Sequence, residues 1–118
     1  MKVYLSGPMR GLPDHNFYAF DLAQENWEKK GHQVFSPASI SRAMGYTPDV
    51  AVDKDHIRHV MLSDIACIYH CDAIAMLPGW EKSKGSTVEL AMAQFLELKV
   101  YDAITQEILS PIHTPWSR

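Results

Sequence analysis

The sequence predicts an α/β protein whose mostly parallel sheet is covered by helices on both faces. Three observations predict it. Short strand-like apolar runs alternate with longer segments of helical periodicity, the arrangement of βαβ units. The connections after the first and third runs are rich in Gly, Pro and Ser, which break regular structure. The chain has 118 residues, 47% hydrophobic and 21% charged, a globular composition with core enough for one domain over residues 1–118. It carries no internal repeat, low-complexity tract or interdomain linker.

Residues 2–6 read as a short strand, bounded by Gly7 and Pro8. A loop follows through Gly11, Leu12 and Pro13. Asp14 offers an N-cap for a helix running to about Lys30 and closed by Gly31. Within it Phe17, Phe20, Ala23 and Trp27 recur at helical spacing and are expected to pack on the sheet. Val34 and Phe35 make a second strand, stopped by Ser36-Pro37. Residues 36–52 read as a long loop with some helical turn, a size that in a compact domain usually accompanies function. A helix then covers roughly Asp53 to His70. A third strand spans Ala73 to Leu77, and the loop Pro78–Gly85 leads into a helix from Ser86 to about Leu98. Val100 and Tyr101 form a fourth strand, and Ile104–Leu109 offers a short fifth. The tail, with Pro111, Pro115 and Trp116, has no regular pattern.

This order predicts a flavodoxin-like (Rossmann-like) three-layer sandwich of four to five strands, with its cleft between strands one and three. Loops 7–13, 36–52 and 78–86 converge there.

The formal net charge is −3 with no block of Lys or Arg, which disfavours a nucleic-acid polymer or a membrane surface as partner. No apolar run approaches the ~20 residues of a membrane span. The N-terminus lacks a signal peptide's apolar core, so a cytoplasmic location is expected. Cys67 and Cys71 lie four apart on one helix, where a disulfide would close almost no loop; reduced thiols are expected. The pair has no second partner set, and no metal site is expected.

Two carboxylates stand out. Glu89 follows the loop 78–85 at a helix start, past a strand's carboxyl end, where open α/β sheets place their ligands. Ser86 and Glu89 also fit a capping box, a purely structural alternative. First-turn N–H groups would favour the ionised form of Glu89 by roughly 0.3–1 kcal/mol. Asp64 falls on the apolar stripe of its helix, with Ile57, Val60, Met61 and Ile68. It reads either as an acid with a raised pKa or as a hydrogen-bonded structural residue. One acid kept neutral and one kept charged is the division of labour for cleaving a bond at an acetal-like carbon. Gly7-Pro8-Met9-Arg10-Gly11 is not a dinucleotide-binding fingerprint. It reads as an anion-holding turn or as a tight βα turn with a solvated Arg. Tyr4 points to one face of the sheet, toward the cleft or into the core. The six histidines are expected in solvated or locally bonded roles.

Taken together, Tyr4-Leu5-Ser6-Gly7-Pro8-Met9-Arg10-Gly11, the Asp64 helix, Cys71-Asp72-Ala73-Ile74 and Gly85-Ser86-Thr87-Val88-Glu89 resemble the nucleoside 2-deoxyribosyltransferase superfamily. The likeness runs from residue 3 to about residue 101. It is greatest to small phage-type members of unassigned function, which share the YLSGPMRG-like start and an NFxAF run (here Asn16 to Phe20). The resemblance implies cleavage of an N-glycosidic bond. Glu89 would attack the anomeric carbon, Asp64 would protonate the departing base, and Tyr4 would orient the nucleophile. Transferases of this superfamily usually carry Asp six residues before the nucleophile. Here Ser83 stands there, as in hydrolases of 2′-deoxynucleoside 5′-monophosphates, whose GSxRG-like turn is matched at Gly7, Arg10 and Gly11 but not at the Ser.

The expected function is therefore hydrolysis of a 2′-deoxynucleoside 5′-monophosphate. The expected catalytic residues are Glu89, Asp64 and Tyr4, and the substrate-binding residues Gly7, Arg10, Ser83, Gly85 and Ser86. No cofactor is required. Met44 and Tyr46 are expected to shape the base pocket, and Met92 and Phe95 are candidates for an apolar surface. A homodimer is implied by the superfamily's shared sites, with Ser110 or Ser117 candidates for a residue donated across it. The alternatives are a deoxyribosyltransferase, which would pass the sugar to a second base, and a catalytically silent nucleotide-binding module.

Overall fold

A computed structural model describes residues 1–49 and 52–109. Ser110, Ser117, His113 and the proline-containing tail lie outside the described residues. Four strands form one sheet: β1 (Lys2–Ser6), β2 (Gln33–Phe35), β3 (Ala73–Met76) and β4 (Lys99–Asp102). Their order is β2-β1-β3-β4 and every pairing is parallel, Val3 facing Val34 on one side and Ala73 on the other. This is the flavodoxin-like order, with its topological switch between β1 and β3.

Side chains alternate across each strand, so one short sequence supplies two cores. Val3, Leu5, Ala73, Ala75 and Leu77 pack on one face against Phe17, Phe20, Ala23 and Trp27 of helix α1 (Phe17–Lys29). Trp27 is buried and its indole Nε1 donates to the carbonyl of Ala103 at 2.9 Å, which settles its only polar atom. Tyr4, Ile74 and Met76 pack on the other face against Ile68 of α3 (Lys54–Tyr69) and Leu90 and Ala93 of α4 (Lys84–Phe95). A short helix, α2 (Pro37–Ala43), follows β2.

Several boundaries differ from the sequence expectation. The first helix begins at Phe17, not after Asp14. Asp14, His15 and Asn16 all have left-handed backbone conformations in a 3-10 turn over Pro13–Asn16, and Asn16 donates to the carbonyl of Pro8 at 2.9 Å. That bond spends the asparagine on anchoring the preceding loop rather than on capping. Ser36-Pro37 ends β2 and also starts α2, because the serine hydroxyl accepts from Ala38 N and proline suits the first helical position. Helix α4 starts at Lys84, because Ser83, not Ser86, is its N-cap; it stops at Phe95, before the left-handed Glu97. The fifth strand does not form. Asp102 Oδ1 accepts from the amides of Ile104 and Thr105, turning the chain back so that only an isolated antiparallel bridge joins Tyr101 to Ile108.

Among the described residues no helix is long and apolar enough to cross a membrane. Cys67 lies in α3, but Cys71 lies past its end, so the two do not share one helix as expected; both are free thiols, and burial pushes the Cys71 thiol up to about 12.

The turn leaving β1 depends on a missing side chain. A Cβ on Gly7 would stand 2.7 Å from Leu77 Cβ, an atom fixed by its own backbone, so the two loops of the switch point could not approach as they do. Gly7→Ala is expected to lower unfolding free energy by roughly 1–3 kcal/mol, the usual cost of overpacking. Denaturant titration checks this; unchanged stability would mean that the strand ends have room to part.

Candidate active site

A cleft of about 910 Å³ opens at the carboxyl ends of β1 and β3. Its floor is built from the sheet upward. Tyr4 and Ser6, two residues apart in β1, share the sheet face on which α4 lies. The Tyr4 hydroxyl donates to Glu89 Oε2 at 2.8 Å, and the Ser6 hydroxyl donates to Glu89 Oε1 at 2.6 Å. Each carboxylate oxygen of Glu89 thus has its own hydroxyl donor from beneath. Asp64 reaches the same place from α3 and lines the cleft beside Glu89. Each acid is only 5% exposed.

Glu89 is not in the first turn of its helix. Counted from the N-cap Ser83 it lies in the second turn, where dehydration outweighs the helix dipole. The expected lowering of its pKa is therefore overturned. Burial raises it, opposed by the hydrogen bonds from Ser6, Tyr4 and Asp64. Asp64 is pushed up to about 8, chiefly by burial, then by the charge of Glu89 and by hydrogen bonding to it. The two acids titrate as a pair. Every hydrogen bond to Glu89 favours its ionised form, while both influences of Glu89 on Asp64 favour the protonated form, so the pair's proton rests on Asp64. Tyr4 is raised well above its usual 10.0, by burial and then by the charges of Glu89 and Asp64, and stays a neutral donor.

The remaining expected residues frame the mouth. Gly7 and Arg10 lie on one wall, the arginine exposed; Ser83, Gly85 and Ser86 lie on the other, at the start of α4. Ser83 Oγ accepts from Ser86 N at 3.2 Å and keeps its own proton to donate. All of the expected site residues border this cleft except Tyr4, which acts on Glu89 from below the floor. Tyr46 also lines the cleft, whereas Met44 is not among the lining residues. The Tyr46 ring stacks on His56 at 3.8 Å between centroids and 17° between planes, and its hydroxyl bonds His59 Nδ1 at 2.9 Å. This aromatic wall ties the loop after α2 to the first turns of α3.

Three features were missed from the sequence. Nothing in the sequence alone gives Ser6 a role, although strand alternation sets it on the same face as Tyr4. Lys82 and Lys84 flank Ser83 and line the cleft, adding two cations to Arg10; none of the three is in an ion pair among the described residues. The third is a set of orphans. His56 Nδ1, Asp64 Oδ1 and Ser86 Oγ are buried polar atoms without a hydrogen-bond partner among the described residues, and all three residues line this one cleft. Such atoms cost stability unless something pairs with them, and a polar ligand would do so. Among the described residues no group of three or more His, Cys, Asp or Glu is placed to hold a metal ion.

The all-parallel α/β sandwich is a fold shared with solved 2-deoxyribosyltransferases. The enzyme from Bacillus psychrosaccharolyticus superposes with a TM-score of 0.64 at 21% identity, over 86% of this chain and 70% of that one. The 2-desoxiribosyltransferase from Leishmania mexicana gives 0.59 at 21% identity, covering 86% and 62% of the two chains. BlsM, solved in solution, gives 0.54 at 24% identity, covering 79% and 58%. The chain thus spans less than two thirds of the latter two proteins. Residues 1–102 match the family described as "Domain of unknown function (DUF4406)", and the chain belongs to that family. No curated protein matches it.

The buried proton has a consequence for stability. Asp64 holds its proton more tightly folded, at about 8, than unfolded, near 3.8, so the folded chain binds more protons between those values. Stability from this group is fully present below the unfolded value and is lost as pH rises through about 8. The melting temperature is expected to fall by several degrees between about pH 5 and pH 9, and Asp64→Asn, neutral throughout, should flatten that fall. Scanning calorimetry at several pH values checks this; equal slopes in both proteins would place the titrating group elsewhere.

Proposed function

We propose that the protein hydrolyses the N-glycosidic bond of a 2′-deoxynucleoside 5′-monophosphate. The observation that carries this reading is the buried Glu89 carboxylate, held by Tyr4 and Ser6 beside a protonated Asp64. A Glu89 oxygen attacks C1′ of the sugar as the C1′–N bond breaks. The base leaves with the Asp64 proton, relieving the charge that builds on its nitrogen. Water then attacks C1′ of the glycosyl ester, returning a proton to Asp64 and freeing Glu89. The products are the free base and deoxyribose 5-phosphate.

Tyr4 and Ser6 are positioning residues here. They fix the carboxylate's orientation and hold its charge in a dry site. Arg10 and the Ser83 hydroxyl receive the 5′-phosphate, with Gly7 and Gly85 keeping the mouth clear of side chains. Lys82 and Lys84 supply further positive charge toward it. Tyr46 on its histidine platform walls the base end.

The neighbours named as deoxyribosyltransferases favour a second reading, in which a free base rather than water attacks the glycosyl ester. A homodimer is part of either reading. Helix α4 carries Val88 and Phe95, 49% and 55% exposed, on the surface available to a second copy.

Incubation with each of the four deoxynucleoside 5′-monophosphates is expected to release free base, detected by chromatography, and Glu89→Ala to abolish release. Release that survives Glu89→Ala removes the glutamate as nucleophile. Ser6→Ala should lower kcat about ten- to a hundredfold, the size of one lost hydrogen bond to a charged group. In the wild type kcat/KM should decline as pH rises through about 8, where Asp64 gives up its proton. Addition of a second base separates the readings, since only a transferase forms the exchanged nucleotide.

A further inference from the structure

We propose that Ser86 is the residue by which this cleft recognises the 3′-hydroxyl of its substrate's sugar. The inference rests on the nucleotide reading above and extends it to a sugar contact.

Ser86 is 1% exposed, lines the cleft, and its hydroxyl has no hydrogen-bond partner among the described residues. The fold does not use that hydroxyl. The capping bond at the start of α4 is made by the backbone N–H of Ser86 to Ser83 Oγ. A helical serine or threonine ordinarily turns its hydroxyl back to a carbonyl three or four residues earlier. The adjacent Thr87 does so, donating to the carbonyl of Lys84 at 2.8 Å; Ser86 does not. A buried hydroxyl left unpaired beside a neighbour that pairs normally calls for a partner from the cleft.

Position says which partner. Ser83, Ser86 and Glu89 follow one another at intervals of three along α4, neighbours on the helix surface separated by about 4.5 Å of axial rise. With C1′ at Glu89 and the 5′-phosphate at Ser83 and Arg10, the furanose must pass Ser86. A 2′-deoxyribose whose 5′ oxygen carries the phosphate has one hydroxyl left, on C3′. A serine hydroxyl both donates and accepts, so it serves either lone pair or proton of that group. A site built to bond a substrate hydroxyl rejects the analogue lacking it, because its own buried group is then stranded.

The test is calorimetric binding of each of the four 2′-deoxynucleoside 5′-monophosphates and its 2′,3′-dideoxy counterpart to the wild type, Ser86→Ala and Ser86→Thr. The wild type is expected to prefer the 3′-hydroxylated member of a pair by about tenfold. Ser86→Ala should bind both members alike, and Ser86→Thr, which keeps the hydroxyl, should keep the preference. Ser86→Ala should also melt no lower than the wild type, since the hydroxyl has no partner in the fold. A preference that persists in Ser86→Ala overturns the proposal, as does a wild type that shows none or binds neither compound. A lower melting temperature for Ser86→Ala overturns it too, by giving the hydroxyl a structural job. If the preference is present but no base is ever released, the hydrolase reading fails and the sugar contact stands.

Discussion

A carboxylate buried under a cleft is the constraint on which the rest of this structure depends. Glu89 is nearly inaccessible to water, and an isolated charge there would be far too costly to keep. Two hydroxyls from a single strand and a proton shared with Asp64 make it tolerable. Both hydroxyls come from alternate positions of β1, so the sheet's own pleat aims them at the two oxygens of one side chain. Removing either would strand part of a charge rather than merely delete a contact.

That arrangement places demands on the architecture above it. The parallel pairing of β1 with β3 brings the ends of both strands to one edge, and the bare Cα of Gly7 lets their loops meet closely. Helix α4 must leave its loop early enough that Glu89 falls in the second turn, over Tyr4 and Ser6. Ser83 secures this by capping at the required residue. Helix α3 runs beside α4 and turns Asp64 inward, where burial and the neighbouring charge keep it protonated. Fold and candidate site are thus two descriptions of the same packing.

Much of this was legible from the residues. The alternation of short apolar runs with helical periodicity marked the parallel sheet and its switch point. The stripe through Ile57, Val60, Met61 and Ile68 marked Asp64 as a covered acid, and it is buried. What failed were local competitions that periodicity does not decide. Ser83 and Ser86 both suit a cap, and only the three-dimensional fit chose the former. That shift of three residues in the cap moved Glu89 out of the helix dipole's reach and into a dry interior, reversing the direction of its pKa. Asn16 could cap α1 or hold Pro8, and it holds Pro8. Ile104–Leu109 had strand-like composition, but Asp102 turns the chain before a strand can add to the edge. Ser6 escaped notice because a small polar residue at a strand end is commonplace; its importance arises from what lies across from it.

The location of one proton is the claim that carries the account. Carbon-13 NMR titration of the side-chain carboxyl carbons, with Asp64 and Glu89 assigned through Asp64→Asn and Glu89→Gln, reads it directly. While the pair carries one proton, the Asp64 carbon should report a neutral acid and the Glu89 carbon an ionised one, with the Asp64 signal moving only as pH passes about 8. A Glu89 carbon that is neutral while Asp64 is charged, or two carbons titrating in the ordinary carboxylate range, would contradict it.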